Sequence, residues 1–306
     1  MPANVEQARK WKGDAVTQEI WRQEYPFDSQ WHSLADGNRM HYIDLGSGDP
    51  VLMVHGNPTW SFYYRHLVQA LSTNHRAIAI DHIGCGLSDK PQSYDYHLHR
   101  HTLNLLSLVE TLDLSEIHLV VHDWGGAIGL GTASQIADRI KSLTILNTGA
   151  FPPPYIPWRI YSLRTPLLGT FAIRAMNLFA GPAVTMAMNR NRLSEVAKAG
   201  FLAPYNNWRN RVAVNGFVKD IPFSKRHRSR QDLLNVEAGL EKLSEKPTQL
   251  IWGMKDWCFN ATCLARFKEH FPSSASLEIE DAGHYVLEDA RDEVIASVQS
   301  FLRRQV

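Results

Sequence analysis

This sequence has few cysteines, little net charge and no long apolar run. Only three cysteines occur in 306 residues, Cys85, Cys258 and Cys263, an odd number without the spacing of a zinc site. Such usage is typical of free thiols in a reducing compartment, so we expect a cytoplasmic protein. No segment is an uninterrupted membrane span, and residues 1–13 lack the apolar stretch of a secretion signal.

The total charge is small, but it is unevenly distributed. Lys and Arg number 32 against 31 Asp and Glu, and a net charge of +1 gives no indication of a nucleic-acid partner. Over residues 151–230, however, 13 basic residues oppose two acids, Glu195 and Asp220, so this segment carries +11 and the rest −10. A basic segment with apolar helical patterns fits an anionic membrane surface, an acidic protein partner or a homo-oligomer. A solvated helix face is the alternative.

Apolar segments alternate with helical patterns along most of the chain. The apolar segments predict strands at Met40–Leu45, Val51–Val54, Ala77–Ile80, Ile117–Val121, Leu143–Leu146, Gln249–Trp252 and Leu277–Ile279. The helical patterns lie near Ser61–Leu71, near Leu98–Leu112, from Trp124 onward, after the Gln249–Trp252 strand and at the C-terminus. This order predicts a mainly parallel sheet with helices on both faces.

The alternation is interrupted between about Gly149 and Lys225. The interruption opens with Phe151-Pro152-Pro153-Pro154, which disfavours a helix, and continues with helical patterns rich in Leu, Met, Phe and Trp. We therefore predict a helical cap inserted into one α/β core. Residues 1–148 and 226–306 would form the core, and residues 149–225 the cap.

The most informative motif is Val-Val-His-Asp-Trp-Gly-Gly at residues 120–126. An apolar strand precedes Asp123 and Gly125-Gly126 opens a helix, so Asp123 is expected on a tight strand-to-helix turn, where hydrolases usually carry serine. A carboxylate there can be a nucleophile without prior deprotonation, since a helix N-terminus and backbone amides favour its charge. An ordinary helix N-cap is the alternative role of Asp123.

Two more candidate residues follow later strands. Asp256 ends the segment Trp252-Gly253-Met254-Lys255-Asp256, and His284 ends Asp281-Ala282-Gly283-His284. An ionised acid beside a histidine fixes its tautomer and stabilises the imidazolium that forms in catalysis. Asn147, which follows an earlier strand, is uncharged and cannot stabilise that cation. A helix cap at Asp256 and a surface turn at His284 are the alternatives.

With these motifs the sequence resembles the haloalkane dehalogenases of the α/β-hydrolase superfamily over roughly residues 28–306. The resemblance implies the α/β-hydrolase fold, with a mainly parallel eight-stranded sheet, flanking helices and an inserted helical cap. It also implies that Asp123, His284 and Asp256 are catalytic and that neither a metal nor an organic cofactor is needed. Val121 departs from the small residue that usually stands two positions before the nucleophile.

The resemblance implies a second pair of site residues, Trp124 and Asn57 in His55-Gly56-Asn57-Pro58. Their side-chain N–H groups would bind the halide, because an unpaired charge is costly in an apolar pocket. Their backbone N–H groups would form the oxyanion site. A structural turn for Asn57 and packing against the cap for Trp124 are the alternatives.

These features predict hydrolytic dehalogenation of a small apolar haloalkane. Asp123 would displace the halide to form an alkyl ester, and His284 would activate the water that hydrolyses this ester. Water would be the only co-substrate.

Three alternatives stay open. The β-lactone decarboxylases of long-chain olefin biosynthesis are relatives of one dehalogenase branch, and both the segment Asn57–Phe62 and the placement of Asp256 resemble theirs. An epoxide hydrolase would add two cap tyrosines, for which the sequence offers Tyr155, Tyr161 and Tyr205. A non-enzymatic binding protein would normally have lost a catalytic residue, and here all are present.

Overall fold

The computed structural model describes residues 20–305, and within them eight strands form one sheet. The strands are β1 (Gln30–Ser33), β2 (Arg39–Leu45), β3 (Pro50–Val54), β4 (Arg76–Ile80), β5 (Ile117–Asp123), β6 (Ile140–Thr148), β7 (Thr248–Gly253) and β8 (Ala275–Ile279). Their order is β1-β2-β4-β3-β5-β6-β7-β8. β2 pairs antiparallel with β1 and β4, and all other pairs are parallel. The predicted mainly parallel eight-stranded sheet is confirmed.

Helices flank this sheet and fill the long connection after β6. They are α1 (Arg65–Leu71), α2 (Leu98–Thr111), α3 (Trp124–Ala133), α4 (Trp158–Ser162), α5 (Leu168–Arg174), α6 (Ala180–Met186), α7 (Glu195–Leu202), α8 (Val212–Asp220), α9 (Arg228–Gly239), α10 (Ala261–His270), α11 (Val286–Asp289) and α12 (Arg291–Arg303). Short 3-10 helices cover Ile20–Glu24, Ser61–Tyr64, Ala137–Arg139, Ala203–Tyr205, Arg209–Arg211 and Leu240–Leu243. None of the helices between residues 20 and 305 has the length and apolar character to cross a membrane.

Residues of the central strands alternate between two apolar cores. In β3, Leu52 and Val54 face the core that packs against α2, α3 and α10, whereas Val51 and Met53 face the core that packs against α1 and α12. Because both faces of these strands are buried, their sequences are continuously apolar. This property makes the central strands predictable from sequence.

The edge strands were harder to predict. In β1 only His32 is buried, and the sequence pattern does not predict this strand. β8 begins at Ala275, before the predicted start at Leu277, and only its last residue, Ile279, is buried. A half-solvated edge strand carries little apolar alternation, which explains both differences.

Helices α4–α8 form the predicted helical cap above the strand ends that carry Asn57 and Trp124. The carbonyl oxygen of Val214 in α8 accepts a 3.4 Å hydrogen bond from Asn57 Nδ2, and the Phe217 ring lies 5.6 Å from that of Trp124. The buried Asp220 at the end of α8 accepts a 2.8 Å hydrogen bond from the backbone of Leu98 in the core. The domain limits at residues 149 and 225 stay a prediction.

The turn at Asp123 requires that neighbouring residues approach the backbone of the two following glycines closely. Asp123 has φ 53° and ψ −130°, a conformation that side-chain-bearing residues rarely adopt. A Cβ atom on Gly125 would lie closer than 3.0 Å to the carbonyl oxygen of Val54, and one on Gly126 equally close to Thr148. The helix can therefore begin directly after Asp123 only because neither residue has a side chain.

A third glycine explains why the unusual Val121 is tolerated before the nucleophile position. The Cγ1 atom of Val121 lies 2.6 Å from the place that a Cβ atom on Gly129 would take. Helix α3 therefore makes room for a branched residue in the strand that leads into the turn.

We predict that Gly125→Ala lowers the free energy of unfolding by about 3 kcal/mol, because the new methyl group overlaps the backbone of β3. Urea-induced unfolding measures this change. The matched control is Gly181→Ala in α6, where the nearest neighbouring atom lies 3.4 Å from the Cβ position. The control should leave stability unchanged or raise it by up to about 1 kcal/mol. Equal stability of Gly125→Ala and the wild type would contradict the packing argument.

Candidate active site

The carboxylate of Asp123 is buried at the end of β5 and receives backbone hydrogen bonds. Oδ1 accepts a 2.6 Å hydrogen bond from the N–H of Asn57, and the N–H of Trp124 also bonds to this carboxylate. Burial raises the pKa of Asp123, whereas His284 and the two N–H groups oppose the increase. Asp123 stands at the N-cap position of α3, but beyond the contact with Trp124 its side chain makes no capping hydrogen bond, which disfavours the alternative of an ordinary N-cap.

His284 lies between two carboxylates. Its Nδ1 donates to Oδ2 of Asp256 at 2.8 Å, and its Nε2 lies 3.6 Å from Oδ2 of Asp123. Burial lowers the pKa of His284, but Asp256 and then Asp123 outweigh burial and raise it above the ordinary value. The proton on Nδ1 is held by Asp256, so Nε2 faces Asp123 at a distance that leaves it free to accept a proton from a ligand or water.

Asp256 combines the two roles between which the sequence could not decide. While Oδ2 accepts from His284, Oδ1 accepts hydrogen bonds from the backbone N–H groups of Cys258 at 2.7 Å and Phe259 at 3.1 Å. These bonds stabilise the turn before α10. The helix itself begins at Ala261 with Asn260 as its cap, so Asp256 is not the cap residue.

Asn147 supports Asp256. Its Nδ2 atom donates to Oδ2 of Asp256 at 3.0 Å and to the carbonyl oxygen of Gly253 at 3.1 Å, and its Oδ1 accepts from the N–H of Gly253 at 2.7 Å. The sequence indicated only that Asn147 could not be the acid. In the structure this amide fixes the position of the acid that pairs with His284.

His122 holds the other side of the His284 ring, a contact that the sequence did not indicate. The two rings lie 4.6 Å apart, and His122 Nε2 donates to the carbonyl oxygen of His284 at 2.9 Å. Burial lowers the pKa of His122 well below its ordinary value, so this ring is neutral. Tyr63 stacks on its far face at 4.5 Å. The position of His122 next to Asp123 in the motif was the only available signal.

Asp289 is a second supporting residue that no sequence motif indicated. Its buried carboxylate accepts hydrogen bonds from the backbone N–H groups of Gly283 at 2.6 Å, and of Asn189 and Asn191 at 2.7 Å each. Gly283 precedes His284, whereas residues 189–191 belong to the cap segment after α6. One carboxylate therefore joins the histidine loop to the cap.

Asn57 and Trp124 line the space in front of Asp123, as predicted. The Asn57 side chain is buried, Oδ1 has no hydrogen-bond partner among residues 20–305, and the bond from Nδ2 to Val214 is long. Trp124 also packs on Phe217, so the alternative of cap packing describes part of its surroundings. Both side chains keep the capacity to bind a polar group of a ligand.

Two cavities meet at Asn57 and Asp123. The first, of about 790 Å³ with its opening, is bounded by Trp124, Leu233 and the proline-rich segment 153–157. The second, of about 1210 Å³ with its opening, also contains His284 and is bounded mainly by apolar residues of α4 and α6. Each cavity therefore offers an apolar chain a largely apolar space that reaches Asp123.

Neighbouring aromatic residues lie outside these cavities, and the tyrosines that the sequence offered are exposed or already paired. Trp60, Phe62, Tyr63 and Tyr64 are fully buried in the core. Among the cap tyrosines, Tyr205 donates to the carbonyl oxygen of Thr59, Tyr161 is exposed, and Tyr155 lines the first cavity but donates to Trp257 and Cys258. Over the described residues, no cluster of His, Cys, Asp and Glu is arranged to hold a metal ion.

Residues 49–290 match the family model of the alpha/beta hydrolase fold, so the chain belongs to this family. It is 45% identical to the cis-3-alkyl-4-alkyloxetan-2-one decarboxylase of Shewanella oneidensis, over 87% of this chain and 86% of that protein. It is 34% identical to haloalkane dehalogenase 2 of Mycobacterium tuberculosis, over 90% and 94% of the two chains.

A solved structure agrees with this assignment. The tetrameric haloalkane dehalogenase DpaA of Paraglaciecola agarilytica superposes with a TM-score of 0.75 and 27% identity, over 91% of this chain and 95% of that one. The protein is therefore an enzyme of the haloalkane dehalogenase branch of the α/β hydrolases, and the expected family is confirmed.

We predict that Asp256→Asn lowers the pKa of His284, because burial would then act with less opposition. Titration of the histidine ring by NMR measures this change. In the wild type, the raised pKa stabilises the folded state below pH 6.5, and this contribution is lost as the pH rises through the folded-state value. The stability deficit of the variant should therefore be larger in acid and narrow at higher pH. An unchanged titration would mean that Asp256 does not control the charge of His284.

Proposed function

We propose that the enzyme decarboxylates a β-lactone with two alkyl substituents, giving an alkene and carbon dioxide. The observation that carries this proposal is the meeting of two apolar cavities at the carboxylate of Asp123. A cis-3-alkyl-4-alkyloxetan-2-one has two alkyl arms on one strained ring, and a relative with 45% identity is named for this substrate. The sequence favoured dehalogenation, but the higher identity to the decarboxylase supports the alternative.

In the first step, Asp123 attacks ring carbon C4 from the side opposite the ring oxygen. A bond forms between the Asp123 carboxylate and C4, and the C4–O bond of the lactone breaks with inversion at C4. The electron pair of the broken bond stays on the released carboxylate of the substrate. The side-chain N–H groups of Asn57 and Trp124 lie in the wall of the same cavity and can donate to this anion.

In the second step, the substrate carboxylate leaves as carbon dioxide. The electrons of the C3–carboxylate bond form the C3=C4 double bond, and the ester bond from C4 to Asp123 breaks. Asp123 returns to its charged form, which the backbone N–H groups of Asn57 and Trp124 stabilise. Inversion followed by departure from opposite faces gives a cis-alkene, and no water is consumed.

Dehalogenation is the second candidate function. It is favoured by the Asn57 and Trp124 side-chain donors beside Asp123, which would serve a halide as well as a carboxylate, and by 34% identity to a haloalkane dehalogenase. This reaction shares the attack by Asp123 but then requires water, which His284 would activate through Nε2. Epoxide hydrolysis is less well supported, because the three cap tyrosines are exposed or donate to backbone carbonyls.

We also propose a reducing, cytoplasmic location. Cys85, Cys258 and Cys263 are all free thiols, which is the usage that the sequence analysis associated with such a compartment.

We predict that the wild type converts a synthetic cis-3,4-dialkyl β-lactone into the cis-alkene, detected by gas chromatography and mass spectrometry. Asp123→Ala should lower the rate by at least about 10⁴-fold because the nucleophile is lost. The control Asp292→Ala removes an exposed carboxylate from α12 and should keep the wild-type rate. A trans-alkene, or a β-hydroxy acid in place of the alkene, would contradict the proposed route.

A parallel assay with bromoalkanes distinguishes the second candidate. Bromide release with kcat/KM above about 10³ M⁻¹s⁻¹, together with no alkene from the lactone, would establish dehalogenation as the principal activity. Trace release would leave the decarboxylase proposal in first place.

We predict that His284→Phe separates the two reactions. With a bromoalkane, the variant should accumulate an alkyl ester on Asp123, visible as an added mass, because no base activates water. With the lactone, the second step is internal to the adduct, so alkene formation should continue for many turnovers. If lactone turnover also stops after one covalent equivalent, the internal second step is wrong.

A further inference from the structure

The three most exposed of the large apolar side chains between residues 20 and 305 belong to one part of the cap. We call Trp158, Tyr161, Leu167, Leu168 and Phe171, on α4, α5 and the turn between them, the apolar tip. Their exposed fractions include 85% for Leu167, 75% for Leu168 and 73% for Trp158. Single exposed apolar residues are ordinary, but a group of this kind marks an interaction surface.

Leu167 shows that this exposure is not a by-product of packing. Its backbone has φ 60° and ψ −59°, in the region that bulky residues avoid. Core contacts do not compensate for this conformation, because the side chain points into solvent. The turn thus presents a leucine outward at a conformational cost that a glycine would largely avoid.

The segment that carries the apolar tip has charges of one sign. Residues 158–174 contain Arg159, Arg164 and Arg174 but no acid. Arg159 is exposed, and its guanidinium lies 5.6 Å from the Trp158 ring. A symmetric dimer through this face would bring like charges together, whereas an anionic surface would be complementary.

The apolar tip is continuous with the entrance of the second cavity. Trp158, Arg159 and Ser162 of α4 belong to the wall of the cavity that reaches Asp123 and His284. A surface that covered the tip would therefore also cover the opening through which an apolar ligand enters. A tryptophan next to an arginine is the composition typical of the boundary between lipid headgroups and acyl chains.

We propose that the apolar tip docks on an anionic lipid surface, with Leu167 and Leu168 inserted among the acyl chains and the arginines at the level of the phosphates. The second cavity then opens toward the acyl layer. Docking itself requires no particular reaction. Only the consequence that a two-chain lactone enters directly from the lipid rests on the proposed function.

The test is sedimentation with vesicles in the absence of substrate. The wild type should bind vesicles of equal parts phosphatidylcholine and phosphatidylglycerol, and high salt should weaken this binding. Leu167→Asn/Leu168→Asp should lower the partition coefficient at least about tenfold, because two inserted side chains are lost. Asparagine keeps a β-carbon at residue 167, as leucine does, and an acid suits the first turn of α5, so the variant is expected to fold.

The matched control is Leu103→Asn/Leu234→Asp, which makes the same chemical change at two partly exposed leucines outside the cap, on α2 and α9. It should bind vesicles like the wild type. A wild type that stays in the supernatant, or equal binding by the tip variant, would overturn the proposal. So would a tip variant that changes only the oligomeric state in light scattering, since the tip would then be a contact between copies. Both variants should act on a short, water-soluble substrate at the wild-type rate. A failure of membrane docking can therefore be distinguished from a failure of the proposed reaction.

Discussion

The site depends on keeping one carboxylate charged inside an apolar cavity. Burial by itself would protonate Asp123, and its raised pKa records that tendency. The strained turn opposes it by aiming the N–H groups of Asn57 and Trp124 at the carboxylate. His284, whose own pKa is raised by Asp256, lies close by and also lowers the pKa of Asp123. The result is an anion with little water around it, which is a strong nucleophile.

Sequence alone predicted the parts of this arrangement that come from strongly constrained positions. The central strands are buried on both faces, and the turn at Asp123 excludes side chains at Gly125 and Gly126, so both leave clear patterns. The edge strand β1 leaves almost none, because only His32 is buried there. The candidate catalytic residues Asp123, Asp256 and His284 were predictable because each lies at or shortly after the end of a strand that the pattern identified.

The supporting residues could not be predicted in this way. Asn147 contacts Asp256 across more than 100 positions of sequence, and Asp289 contacts both the histidine loop and the cap. Such contacts depend on tertiary packing and have no local signature. The cavities were equally inaccessible, because their walls come from cap helices whose placement the sequence does not specify. This is why dehalogenation and decarboxylation, which share Asp123 and its donors, were not separable from motifs.

The link made by Asp289 gives the cap a share in the position of His284. Its carboxylate bonds to Gly283, beside His284, and to cap residues 189–191 at the same time. The position of this cap segment therefore affects the position of His284, because Asp289 bonds to both segments. The placement of the cap wall and the alignment of the histidine therefore depend on one and the same buried carboxylate.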